Sequence, residues 1–118
     1  MFDITVFIYG VDAMAREKFQ TLTEQMYYIL LCLREEHYGG EVAELVREWT
    51  DGSVVIGPGT MYGLLETFQT EGLIRLTKTE GRRRSYRITD KGNAMLEAEY
   101  QRLRRLTEDY RRYGPKEV

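Results

Sequence analysis

Residues 73–89 read LIRLTKTEGRRRSYRIT, and the periodicity of this stretch decides the fold. Apolar and polar side chains alternate through LIRLTKT and again through RRSYRIT, the two-residue period of half-buried strands. The intervening EGR supplies a turn, so the stretch predicts a β-hairpin with Glu80 and Gly81 at the bend. Ile74 and Leu76 on one strand, with Tyr86 and Ile88 on the other, fall on the core side. Arg75, Arg83 and Arg87 fall on the solvent side, with Arg82 at the tip.

Three successive arginines at one bend stand out because the 118-residue chain has a formal net charge of −2. Residues 1–71 hold 4 basic side chains against 12 acids, residues 72–92 hold 7 against 2, and residues 93–118 hold 6 against 5. A local positive field concerns partners rather than fold, and polyanions are the partners it suits. With 42% hydrophobic and 31% charged residues, the chain is an ordinary globular protein with one core. Its one cysteine, Cys32, excludes an internal disulfide and a cysteine-rich metal cluster. Within YYILLCL that thiol reads as a small buried hydrophobe. No apolar run is long enough to span a bilayer. The opening MFDITVFIYG lacks a basic start and carries Asp3, so a cytoplasmic protein with no membrane partner is expected.

Upstream of the hairpin the period is helical. Leu22, Met26, Ile29, Leu30 and Leu33 predict a helix over 22–35, capped by Thr23 and ending near Tyr38, where Gly39 and Gly40 follow. EVAELVREW places Val42, Leu45, Val46 and Trp49 on one face of a second helix, which TDGS breaks. A third helix begins at Pro58, buries Met61, Leu64, Leu65 and Phe68, and closes at Gly72. After the hairpin, Thr89 caps a long polar helix from Asp90 to about Tyr113, where GP follows. Leu96, Leu103 and Tyr110 recur every seven residues along it, as do Leu106 and Tyr113, which is a seam in need of a partner.

Three helices, a two-stranded hairpin and a further helix make a mainly α chain in the order of a winged helix-turn-helix. Residues 1–21 are then an extension and lead-in, 22–92 the DNA-binding domain, and 93–118 a dimerisation helix and tail. The wing arginines acquire a reason, because guanidinium groups match phosphate oxygens in bidentate geometry. Each phosphate neutralised releases counterions, the source of most sequence-independent affinity. Lys78, Arg82, Arg83, Arg84 and Tyr86 are the wing's candidate contacts to double-stranded DNA. Gly59, Thr60, Tyr62, Gly63 and Thr67, together with Glu66, form the exposed face of the third helix. No Lys or Arg occurs between Arg47 and Arg75, so a bidentate arginine reading guanine is not available from that helix. The homodimer seam comprises Leu96, Tyr100, Leu103, Leu106, Tyr110 and Tyr113.

GPGTMYGLLETFQTEGLI followed by RRRSYRITDKG resembles the PadR-like family of winged-helix transcriptional regulators over about residues 22–113. The most specific elements are P-G-T-x-Y-x-x-L ahead of E-G-L-I, then Y-R-I-T-x-K-G. The resemblance implies a homodimeric, usually repressing, DNA-binding protein that pairs through its C-terminal helix. In many relatives a small aromatic molecule or drug releases DNA. Two departures stand out: YGGEVAEL replaces the common G-Y-E-[IL], and Gly63 follows the third-helix tyrosine where Pro or Ala is common.

Trp49 reads as a core residue, with the lining of a ligand pocket at the seam as its second reading. His37 has no Cys or second His to share a metal and suits a helix end. Neither a nucleophile–base pair nor a P-loop lysine is evident, so no enzyme, metal or cofactor is expected. An interaction module that kept the winged fold with little DNA affinity is the rival. Finally, MFDITVFIYGVDA lies outside the resemblance and Met14 is a plausible alternative start. Within it Ile4, Val6 and Ile8 alternate with Thr5, Phe7 and Tyr9, a β-rich pattern with no polar face that is expected to pack on its own dimer rather than touch DNA.

Overall fold

The computed structural model describes residues 21–116, so the expectation for residues 1–13 lies outside the described residues. The chain runs α1 (Glu24–Cys32), β1 (His37–Tyr38), α2 (Gly39–Trp49), α3 (Pro58–Thr70), β2 (Ile74–Glu80), β3 (Arg83–Ile88) and α4 (Asp90–Tyr113). Thr23 Oγ1 accepts from the Met26 N–H at 3.2 Å to start α1, as its cap position predicts. The helix ends at Cys32, short of Tyr38. The glycines expected to stop it instead open α2, because residues 37–38 are drawn into a strand.

Between α2 and α3 the chain turns through Asp51 at φ 52° and Gly52 at φ 78°. Thr50 Oγ1 ties this turn, donating to the Val46 carbonyl at 2.8 Å and accepting from the Val54 N–H at 3.1 Å. Pro58 occupies the first turn of α3 as its fixed φ requires. Gly72, at φ 77°, follows the Glu71 cap. Phe68, Ile29, Leu30, Leu33 and Met95 are fully buried in one core, around which α1 packs on α2 and α4 and α2 packs on α3.

The sheet has three strands in the order β1-β3-β2, all antiparallel, and not the two expected. β1 pairs His37 with Tyr86 and Tyr38 with Ser85, which makes β3 the central strand. Glu80 pairs with Arg83, so the two-residue bend is Gly81 and Arg82, one residue later than the expected Glu80 and Gly81, because Glu80 is held in the β2 ladder. Gly81 at φ 62° has the positive sign that the first central residue of a II′ hairpin turn requires. The register slips between Leu76 and Lys78, leaving Thr77 as a bulge. Leu76, expected in the core, is 41% exposed because β2 is an edge strand that outruns the helices covering Ile74.

The residues Thr89, Lys91 and Gly92 join the wing to both flanking helices. Thr89 Oγ1 donates to the Gly72 carbonyl at 2.6 Å and accepts from the Gly92 N–H at 3.1 Å, while Lys91 Nζ donates to the Glu71 carbonyl at 2.9 Å. The backbone N–H of Thr89 donates to the Leu73 carbonyl at 3.0 Å, and that of Ile88 to Leu33 at 2.7 Å. A Cβ on Gly92 would press into the Leu73 carbonyl oxygen and come within 2.6 Å of Ile88 Cγ1. Gly92→Ala should therefore destabilise the fold by about 1–3 kcal/mol, the usual cost of overpacking. Thermal unfolding checks this, and an unchanged midpoint would contradict the close approach.

Candidate nucleic-acid interface

α3 and the wing face one another across a groove of about 900 Å³. One wall is α3, through Tyr62, Leu65, Glu66 and Gln69; the other is the wing, through Thr79 and Gly81–Arg84. Tyr38, Gly39 and Gly40 close the end at the start of α2. The glycines make this closure possible. A Cβ on Gly39 would lie 3.2 Å from Met61 Cγ, so glycine lets α2 press against α3. A Cβ on Gly40 would lie 2.9 Å from Tyr38 Cε2, so the departure from G-Y-E-[IL] leaves room for the Tyr38 ring.

Arg82, Arg83 and Arg84 are all exposed at the tip, as is Arg87 further down β3. Lys78 is also exposed, but its ammonium stands 3.5 Å from Glu80 Oε1 and 4.0 Å from Glu36 Oε1. An exposed pair of that kind is worth little and can be exchanged for another anion. Tyr86 stands differently from the other wing candidates. It is only 6% exposed, because β1 and β2 flank it, and it forms part of the groove floor.

On α3, Gly59, Thr60, Tyr62, Gly63 and Glu66 are exposed, with Tyr62 at 66%. Thr67 is half-buried, and its hydroxyl donates to the Gly63 carbonyl at 2.9 Å rather than standing free. Nothing lies within 4 Å of a Cβ at Gly59 or Gly63, so these positions leave the helix backbone open to an approaching surface. Gln69, exposed on the same wall, escaped sequence reasoning; its i+3 spacing from Glu66 was the available signal.

The seam residues divide at the middle of α4. Leu96, expected at the seam, belongs to the chain's own core, because this part of α4 packs on α1. Tyr100, Leu103, Leu106, Tyr110 and Tyr113 are exposed. Arg102 holds the fully buried Glu99 in a bidentate pair at 2.6 and 2.9 Å at this boundary. Trp49 is 51% exposed at the end of α2, against its core reading. His37 Nδ1 lies 3.5 Å from Glu41 Oε1 at the start of α2, a helix-end position. Burial pushes the Cys32 thiol up to about 11, which keeps it protonated and suited to packing. Among the described residues no helix is long and apolar enough to cross a membrane.

The sequence model of the transcriptional regulator PadR-like family matches residues 29–98. The transcriptional regulator YqjI of Escherichia coli K12 is 25% identical over 75 residues, which is 64% of this chain and 36% of that protein. The chain thus matches little more than a third of its curated relative's length. The PadR-like transcriptional regulator of Bacillus cereus is 29% identical over 78% of this chain and 92% of that one, with a TM-score of 0.64. A PadR family regulator of Clostridium difficile is 25% identical over 75% and 96% of the two chains, with a TM-score of 0.61. A PadR-like transcription factor of Bacteroides fragilis, 22% identical, shares the fold over 87% and 97% of the chains at a TM-score of 0.64. With the family model covering more than half of its length, from the core of α1 to the buried turns of α4, this chain belongs to the transcriptional regulator PadR-like family.

Proposed function

We propose that the chain binds double-stranded DNA as a homodimer and represses transcription from an inverted-repeat operator. The observation that carries this reading is the exposed Arg82–Arg84 cluster, which shares one groove with Tyr62 and Glu66 on the exposed face of α3; Gly59, Thr60 and Gly63 lie on that face outside the groove. α3 enters the major groove while the wing lies along the phosphate backbone. Thr60, Tyr62 and the backbone at Gly59 and Gly63 approach the duplex, and the three arginines supply phosphate contacts rather than sequence reading. Two wings on a two-fold axis call for half-sites about one helical turn apart.

The α3 wall favours one rival. It carries Glu66 and no cation, which suits a winged fold turned to protein partners. A salt titration with random duplex separates the two, since only a DNA-binding wing gives a steep slope. Release by a small aromatic molecule belongs to the same proposal. Tyr27, Leu31, Leu96 and Tyr100 line a groove of about 590 Å³ between α1 and α4, and Trp49 is not among its lining residues.

Replacing Arg82, Arg83 and Arg84 by Ala should weaken specific and random duplexes by similar factors. The salt slope should flatten by about one unit per lost contact. A loss confined to the specific site would mean that the wing reads bases.

The exposed seam on α4 generates a second expectation. Burying each such side chain is worth about 1.5–3 kcal/mol. Leu103→Asp with Leu106→Asp should therefore turn a dimer into a monomer with the same melting profile at its core, as ultracentrifugation and circular dichroism would show. A monomeric wild type at tens of micromolar would remove the dimer from the proposal.

Gly63→Ala tests the open face of α3. Alanine is favoured in a helix by up to about 1 kcal/mol over glycine, and the site has room for it. The variant should melt at a higher temperature yet bind DNA more weakly. Unchanged affinity would place Gly63 outside the interface.

A further inference from the structure

Arg83 differs from its neighbours in the wing. Its guanidinium carbon stands 4.6 Å from the centroid of the Tyr38 ring, a cation–π contact. Among the described residues neither Arg82 nor Arg84 rests on a ring in this way. Tyr38 comes from a distant part of the chain, at the N-cap of α2, and is fixed there by three restraints. Its backbone pairs with Ser85 of β3. Its N–H donates to Glu41 Oε1 at 3.1 Å. Its ring fills the space that a side chain at position 40 would take. The ring is therefore a held platform beside the end of the hairpin.

A guanidinium has two kinds of surface. Its flat face suits an aromatic ring, while its N–H edge suits a phosphate, and the two can be occupied together. An arginine already laid on a ring also has less rotamer freedom to lose when it meets an anion. We propose that Tyr38 is a positioning residue that holds Arg83 over the groove and sets where this arginine meets a phosphate. The inference rests on the DNA-binding reading and assigns to the start of α2 a part in it that needs no contact with DNA.

The test is a double-variant cycle, read by fluorescence anisotropy on a duplex recovered by sequencing fragments bound to the wild type. Tyr38→Leu should weaken binding about two- to five-fold, the range of an exposed cation–π contact. Tyr38→Phe, which keeps the ring, should restore affinity. Introduced into Arg83→Ala, Tyr38→Leu should cause no further loss. An equal loss with and without Arg83 would make the ring merely structural and overturn the proposal, as would failure of Tyr38→Phe to restore binding. If Tyr38→Leu does not fold, phenylalanine of increasing fluorination at position 38 keeps the ring's shape and removes its negative face. A stepwise fall in affinity then supports the proposal, and a flat series overturns it. Arg82→Ala, outside the stack, separates the two levels. If it weakens binding while the Tyr38 variants do not, DNA binding stands and the positioning role fails. A wild type with no salt-dependent binding removes both.

Discussion

The closeness of Gly92 to the Leu73 carbonyl is the constraint on which the rest of this structure depends. A helix can start there only because position 92 has no side chain. That start places Thr89 and Lys91 against the carbonyls of Glu71 and Gly72, groups that the end of α3 leaves without helical partners. Three elements with different duties thus share one joint: the end of α3, the base of the wing and the beginning of α4. The angle between the wing and α3 is fixed at the bottom of the groove, far from the arginines at the top. α4, which packs on α1, is thus joined to the base of the wing through a few atoms.

The groove divides its chemistry between its walls. The wing carries cations at its tip, and α3 carries a tyrosine, a leucine, a carboxylate and an amide. On the proposed DNA-binding reading, long-range attraction and alignment belong to the hairpin, while discrimination falls to hydrogen bonds from the α3 wall. On the same reading, a carboxylate in that wall repels a phosphate but accepts from an amino group on a base edge, which suits Glu66 to a position inside a DNA groove.

Much of the fold was legible from local signals. Thr23, Pro58, Gly72 and Thr89 each mark a helix end through chemistry that acts within a few residues, and all four stand where the sequence places them. The hairpin was legible for the same reason. What was not legible depends on partners distant in sequence. β1 is two residues long, too short for any period to register, and exists because β3 has a free edge beside it. Gly39 and Gly40 look like a helix stop until Met61 and the Tyr38 ring are known to occupy the space of their side chains. Leu76 and Leu96 exchange their expected environments because alternation and heptads describe one element, whereas burial is decided by where the neighbouring element ends. In the candidate site, the arginine cluster was legible as a charge run, but the stacking of Arg83 on Tyr38 was not, since 45 positions separate the two residues.

The bulge at Thr77 has a consequence for life at high concentration. Among the described residues β2 is an outer strand of the sheet, and its open side presents backbone donors and acceptors. A straight edge of seven residues bearing an uncovered leucine would be a template for strand addition between molecules. The slip in register between Leu76 and Lys78 breaks the even spacing of that edge, and Arg75 and Lys78 set like charges on either side of the break. A second hairpin laid alongside would meet a kinked backbone and the same cations it carries itself. The irregular strand thus disfavours edge-to-edge pairing of one wing with another.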